Sequence, residues 1–164
     1  MPSILHLCQW LNDLRLSTTI RESPVIFPVI ETIHVVSITL AVGTIAIVDL
    51  RLLGLVLAKE KVTHVMSQIE PLALWGFAVM FASGALLFLS EAEKCYQNPA
   101  FRLKLMSLAL AGINPLIFYA TVYRRVDDWD SDETTPWQAR IAALVSLTLW
   151  AVIIVSGRAI AYFN

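Results

Sequence analysis

The sequence predicts an all-α membrane protein: a bundle of four transmembrane helices preceded by an amphipathic helix at the membrane surface. Hydrophobic residues make up 57% of the chain and charged residues 15%, a composition too apolar for an ordinary soluble domain. The apolar residues also come in blocks, because ranges 32–48, 71–90, 105–123 and 141–157 contain no Asp, Glu, Lys or Arg. A helix that crosses about 30 Å of hydrocarbon needs roughly 20 residues. Four blocks of nearly that length predict four spans.

Residues 1–23 form the first predicted unit, a short amphipathic segment. Its apolar residues recur at helical spacing, with Trp10 beside them: Ile4, Leu7, Leu11 and Leu14. A helix of this kind lies in the membrane interface with its apolar face among the lipids. The alternative is that it packs across the end of the bundle as a lid, and the pattern alone does not separate the two.

Residues 24–164 form the second predicted unit, the four-helix transmembrane domain. Its spans are predicted at about 27–52, 68–90, 103–123 and 138–160. Asn98 followed by Pro99 predicts the N-cap and the first residue of a helix at the third span. The stretch TPWQ (135–138) predicts a capping box that opens the fourth. An even number of spans puts both termini on one side of the membrane.

Charge and motifs exclude several classes of function. The net charge of −1 gives no basic surface for nucleic acid. The sequence also lacks a zinc-type cysteine pairing, a phosphate-binding glycine loop and a GxSxG element, so no catalytic signature indicates an enzyme. Basic residues are balanced between the two sides. If Lys104 and Arg158 are left out because they lie at or inside span ends, the count of basic residues favours termini on the outer side. The loops between the first and second spans and between the third and fourth spans then lie in the cytoplasm.

Ionisable residues inside the first span point to a site. Glu31 and His34 lie within it, although such groups cost several kcal/mol in hydrocarbon unless they are paired, hydrated or used. Arg158 in the fourth span and Lys104 in the third lie at a similar depth on the same side. We therefore expect one polar site near the outer face, in which Arg158 is the charge partner of Glu31.

Asp49 marks the opposite end of the first span. It follows Glu31 by five whole helical turns, so the two carboxylates share one face of the helix. If that face looks into the bundle, Asp49 can meet an arginine at the other end, with three candidates: Arg51, Arg124 and Arg140. The alternative is that Asp49 and Arg51 anchor the helix at the membrane interface.

Three functional hypotheses fit these residues. In the first, His34 binds haem b or another redox metal, and the propionates pair with Arg158, Lys104 or Arg21. Its second ligand is Met106, His6 or a water, or the position is empty. In the second, His34 and Met106 bind copper, with Cys8, Cys95 or His6 as a further candidate ligand. In the third, the protein is a non-catalytic accessory or assembly subunit of a membrane complex, and its polar residues serve helix packing. Transport is disfavoured, because the two halves show no inverted pair of broken helices.

Small residues at close spacing predict association between helices. They are Gly43 and Ala46 in the first span and Ser83 and Gly84 in the second. Such residues let helix backbones approach closely in a lipid bilayer. We therefore expect a homo-oligomer or a subunit of a larger membrane complex.

Four stretches resemble a family of small bacterial inner-membrane proteins that is filed as a domain of unknown function. They are PVIETIHVVSITLAVGTIAIVDLRLLG (28–54), WGFAVMFASGALLF (75–88), NPAFRLKLMSLALAGINPLIF (98–118) and WAVIIVSGRAIAYF (150–163). The resemblance touches all four spans and implies a compact four-helix protein of the bacterial inner membrane, without implying an activity. With the orientation above, the termini are expected on the periplasmic side.

Overall fold

The computed structural model describes residues 4–130 and 135–162. The ends of both predicted units (1–3 and 163–164) and part of the loop before the fourth span (131–134) lie outside the described residues. The helices are α1 (Ile4–Asn12), α2 (Arg15–Glu22), α3 (Ile26–Leu52), α4 (Val62–Ser90), α5 (Ala92–Gln97), α6 (Pro99–Thr121) and α7 (Trp137–Ala159). Two 3₁₀ turns follow α6 and α7, at Tyr123–Asp128 and Ile160–Tyr162. Within these ranges the regular structure is entirely helical, which confirms the predicted fold class.

Four of these helices are long and apolar enough to cross a membrane: α3, α4, α6, and α7 together with its final turn. The chain is thus a multi-pass membrane protein. The largest difference from the predicted spans is the start of α4, at Val62 rather than near residue 68. The added turns carry polar residues, including Thr63, His64 and Ser67, so the apolar block marks the membrane-embedded part of the helix and not its full length.

One predicted helix start is confirmed and one is wrong. The Asn98 side chain accepts hydrogen bonds from the amides of Ala100 and Phe101, and Pro99 is the first residue of α6. At α7, Pro136 is the N-cap residue and no side chain caps the helix. The hydroxyl oxygen of Thr135 instead accepts a hydrogen bond from Arg51 Nη1 (3.4 Å), so the predicted capping box does not form.

The amino-terminal segment consists of two short helices that pack over one end of the bundle. Helix α1 packs against α5, and α2 packs against α3 and α4. Gln9 Nε2 donates to Glu93 Oε1 (3.2 Å), and Arg21 Nη1 donates to the Ser90 carbonyl (3.0 Å). Three apolar side chains of α1 nevertheless remain exposed: Ile4, Leu7 and Trp10. The segment covers the bundle end and still turns an apolar face outward.

The four long helices form two tight hairpins that meet along one line. Helix α3 packs mainly against α4, and α6 against α7, while α3 and α7 join the hairpins. Gly76 allows the first hairpin to close, since a Cβ there would lie only 3.0 Å from the Ala41 backbone nitrogen. Asn114 Nδ2 donates to the Ala142 carbonyl (3.0 Å) across the second. Helices α4 and α6 meet near one end of the bundle, where the ring of Phe88 stacks on that of Phe101 with centroids 5.5 Å apart. Towards the other end the described parts of α4 and α6 separate, and the bundle is open between them.

Candidate functional site

His34 lies half-buried between α3 and α4, where its ring is tied to α4. Its Nδ1 atom is 3.0 Å from Ser83 Oγ, and the ring also hydrogen-bonds the Met80 backbone. Ser83 has a single hydroxyl proton, which it donates to the Val79 carbonyl (2.6 Å). Because the serine oxygen is left to accept from the imidazole, we assign the ring proton to Nδ1 and the lone pair to Nε2.

Gly84 makes room for that ring. A Cβ at this position would lie 2.9 Å from His34 Cε1 and 3.8 Å from Nε2. The imidazole therefore packs directly against the α4 backbone. Two of the small residues that predicted contacts between subunits, Ser83 and Gly84, thus serve packing inside this chain.

The predicted ion pair between Glu31 and Arg158 does not form. Both side chains are exposed, and the guanidinium of Arg158 lies over the ring of Tyr162, 5.8 Å from its centroid. A long side chain near the end of a span can extend towards the interface and keep its charge hydrated. Within ranges 4–130 and 135–162 the only ion pair joins Lys94 to Glu91 (3.1 Å).

Of the other predicted site residues, only Lys104 turns towards His34. Its Nζ atom lies against Gly157 of α7, 3.6 Å from the position of a Cβ there, and its charge acts on His34 through space. Met106 is 67% exposed on the outer surface of α6, and His6 is exposed on α1. Two residues along a helix are about 200° apart, so Lys104 and Met106 cannot face the same site.

This geometry does not assemble the haem or copper site that the sequence suggested. His34 has one ring nitrogen available, and Met106 faces away from it. Among the described residues there is no group of three or more His, Cys, Asp or Glu side chains that could hold a metal ion. Haem b and copper remain predictions from the sequence.

A second polar region lies at the other end of α3, around Asp49. This carboxylate is only 6% exposed, and it accepts a hydrogen bond from Ser146 of α7. Its Oδ2 atom is buried and has no hydrogen-bond partner in the part of the chain that the structure describes. A buried polar atom without a hydrogen bond destabilises the fold, so a bound group that donates to Oδ2 would be stabilising.

The expected arginine partner of Asp49 is absent within the same described ranges. Arg51 is buried, but its Nε donates to the Glu60 carbonyl (2.7 Å) and its Nη1 to Thr135. Arg140 Nη2 donates to the Leu53 carbonyl (3.4 Å). These arginines bind backbone and hydroxyl oxygens at the bundle end, and none of them forms an ion pair with Asp49.

Asp49 lines a cleft of about 440 Å³ on the open side of the bundle. Helices α3 and α7 form its back, while α4 and α6 form its walls. The lining is mainly apolar and aromatic, with Phe77, Phe118 and Trp150 among its residues. Six lining residues carry polar groups: Asp49, Glu70, Asn114, Tyr119, Ser146 and, through its indole N–H, Trp150.

The sequence interpretation found Asp49 and missed the rest of this cleft. Glu70, Asn114 and Ser146 lie on three different helices, and only the packing of the hairpins brings them to one place. The available signal was Pro115, which removes the amide that would bond the carbonyl four residues earlier. That carbonyl belongs to Ala111, a residue of the cleft lining.

Most of the chain matches the model of one protein family. The model of a family described as "Family of unknown function (DUF6644)" matches residues 23–163. The chain belongs to this family. The match begins after α2, so the four long helices are the part that defines membership. No curated protein and no solved structure matches the chain.

Proposed function

We propose that this protein binds a lipid-soluble small molecule within the bilayer, in the cleft between α4 and α6. The observation that carries the proposal is Asp49, which lines the cleft and has a buried oxygen without a partner among the described residues. Lipid acyl chains can fill an apolar gap, but they donate no hydrogen bond to a carboxylate. A molecule with an apolar body and a polar head group meets both demands.

The dimensions and lining of the cleft support this proposal. Sites for small molecules usually measure about 300–1,000 Å³ and combine an apolar, aromatic lining with a few polar groups. The cleft measures about 440 Å³ and has that lining. Because it opens between two membrane-spanning helices, a ligand reaches it sideways from the bilayer.

A binding role agrees best with the accessory-subunit hypothesis from the sequence. The haem and copper hypotheses have less support, since Lys104 and Met106 face different sides of α6. Assembly into a homo-oligomer or a larger membrane complex remains part of the proposal. Its support is Gly43, which is exposed and has no atom within 4 Å of where a Cβ would lie, so another helix can approach it closely.

The proposed location is the bacterial inner membrane, with both termini in the periplasm. The balance of basic residues supports this orientation, which puts the Asp49 cleft in the cytoplasmic half of the bilayer. Single cysteines introduced at positions 3 and 164 test it in intact cells. Both are expected to react with a membrane-impermeant maleimide. If neither is labelled, the termini lie on the cytoplasmic side instead.

Photo-crosslinking of the protein in lipid nanodiscs tests the proposed function. Three diazirine probes share one alkyl chain and differ in the head group, which is an amine, an alcohol or a carboxylate. We expect at least one probe to form adducts concentrated on cleft residues such as Phe77 and Trp150, mapped by peptide mass spectrometry. Adducts spread evenly over all lipid-facing residues would refute the proposal.

A matched pair of variants sharpens this test. Gly112 lines the cleft and has no atom within 4 Å of a Cβ, so Gly112→Phe fills the cleft and should reduce the adducts several-fold. Ile113→Phe is the control, because Ile113 is exposed on the same helix and does not line the cleft. Cross-links from the cleft to the helix of a co-purified protein would instead make the occupant a partner subunit and overturn the small-molecule proposal.

A further inference from the structure

The two ionisable acids that line the cleft, Asp49 and Glu70, would both carry negative charge. Resting on the proposed function, we propose that its ligand is a lipophilic ammonium ion, with Asp49 as the counter-ion. The ligand class follows from the acids, the free acceptors and the aromatic rings that the hairpins bring together. None of these properties depends on the His34 region at the other end of the bundle.

Charge is the first argument. The cleft is lined by two carboxylate residues, Asp49 and Glu70, and the described lining residues include no Lys, Arg or His. Arg51 and Arg140, two basic residues at this end of the bundle, donate to backbone carbonyls instead. A buried carboxylate without a cation of its own attracts one from outside, and it does so strongly where water is scarce.

Hydrogen bonding is the second argument. The Ser146 hydroxyl already donates to Asp49, and the Asn114 amide donates to the Ala142 carbonyl. The buried oxygen without a donor among the described residues is Asp49 Oδ2, which can only accept. Pro115 lacks the amide that would bond the Ala111 carbonyl in a regular helix. An ammonium group carries donors and no acceptor, so it complements this set.

The aromatic lining is the third argument. Phe77 and Trp150 both line the cleft, with ring centroids 5.7 Å apart, and Phe118 and Tyr119 lie on the α6 side with centroids 5.9 Å apart. Ring faces attract cations, and the attraction is larger in a site without water. The same rings provide apolar surface for the body of the ligand.

Other head groups satisfy fewer of these features. A carboxylate or phosphate head would meet Asp49 and Glu70 with like charge. A neutral hydroxyl could donate to Asp49 Oδ2, but it would leave the carboxylate charge without compensation. The cleft therefore ranks head groups in the order amine, alcohol, carboxylate.

The three diazirine probes measure this ranking on the unaltered protein. Nanodiscs of zwitterionic lipid avoid a surface charge that would enrich one probe, and adducts on the lipid itself correct for membrane partitioning. At pH 7 we expect the amine to reach half-maximal cleft labelling at a concentration at least about tenfold lower than the alcohol. The carboxylate should label the cleft least.

Variants assign the preference to Asp49. Asp49→Asn keeps the size of the side chain and removes its charge, so the advantage of the amine over the alcohol should disappear. Glu31→Gln is the matched control, because it removes a carboxylate from the same face of α3 outside the cleft and should preserve the advantage. Glu70→Gln, an exposed residue of the lining, should reduce the advantage by a smaller factor and gives a readout if Asp49→Asn fails to fold.

The outcomes separate this inference from the proposed function. If amine and alcohol label the cleft equally, or if Asp49→Asn preserves the advantage of the amine, the cleft binds amphiphiles and the charge inference is overturned. If no probe concentrates in the cleft, both proposals fail together. An amine advantage that is lost in Asp49→Asn and kept in Glu31→Gln supports the inference.

Discussion

Replacing Gly76 by alanine perturbs the closest approach between α3 and α4. A Cβ at Gly76 would lie 3.0 Å from the Ala41 nitrogen, 3.1 Å from its Cα and 3.2 Å from its Cβ. Ordinary van der Waals contact begins near 3.4 Å, and two of these three atoms belong to the helix backbone. The added methyl group must therefore push the helices apart by a few tenths of an ångström along the hairpin.

Two opposing effects set the magnitude. Overpacking of a tight contact costs about 1–3 kcal/mol, while glycine to alanine in a helix gains about 1 kcal/mol in water. Gly43→Ala isolates the second effect, because Gly43 is also in a long helix and has no atom within 4 Å of a Cβ. We expect the free energy of unfolding of Gly76→Ala to lie about 1–3 kcal/mol below that of Gly43→Ala.

Reversible unfolding in mixed micelles of mild detergent and SDS, followed by circular dichroism, measures this difference. Gly112→Ala serves as a second control, since its Cβ position is also open. Equal unfolding free energies for the Gly76 and Gly43 variants would refute the reasoning, because they would mean that α3 and α4 are not in backbone contact at Gly76.

The remaining predictions concern the other end of the bundle. Gly84→Ala should lower the unfolding temperature, because the added methyl group clashes with the His34 imidazole. Adding His34→Ala removes the imidazole and should restore most of the loss. If the two substitutions lower the unfolding temperature additively, this packing is contradicted. Burial, with Glu91 next in effect, raises the pKa of the Cys95 thiol to about 11, so less thiolate is present at any pH below that value. In a Cys8→Ser background, maleimide should react with this thiol about 100-fold more slowly at pH 8 than with a thiol of pKa 9, and a rate that levels off near pH 9 would contradict the shift. Asn98→Ala should destabilise the protein by about 1–2 kcal/mol. Asn98→Asp should have an intermediate stability, because aspartate keeps the cap but cannot donate to the Ile160 carbonyl. If Asn98→Asp unfolds at the same midpoint as Asn98→Ala, this explanation is contradicted.

Local signals in the sequence predicted local structure well. Asn98 and Pro99 start α6 because a side-chain acceptor and a residue without an amide suit the first turn of any helix. The capping box at TPWQ failed for a reason that lies far away in the chain. The Thr135 hydroxyl accepts from Arg51, which is 84 residues earlier, and no local pattern reveals that competition.

The outer polar site shows where reasoning from depth alone fails. Glu31, His34, Lys104 and Arg158 were grouped because they lie at similar depths, and depth does not say which face of a helix a residue occupies. The 100° step per residue already separates Lys104 from Met106. The pairing of His34 with Ser83 required the contact between α3 and α4, which the sequence does not specify.

The position of Asp49 links the architecture of the bundle to its proposed function. Gly76 lets α3 and α4 pack closely, and Asn114 links α6 to α7. The main contact between the two hairpins is that of α3 with α7, and the ring pairs Phe77–Trp150 and Phe88–Phe101 add to it. A ligand in the cleft lies between the two hairpins and contacts residues of both. Asp49 and Ser146 lie on α3 and α7, the two helices that pack at this junction, so the proposed ligand would place its charge beside the main contact between the hairpins.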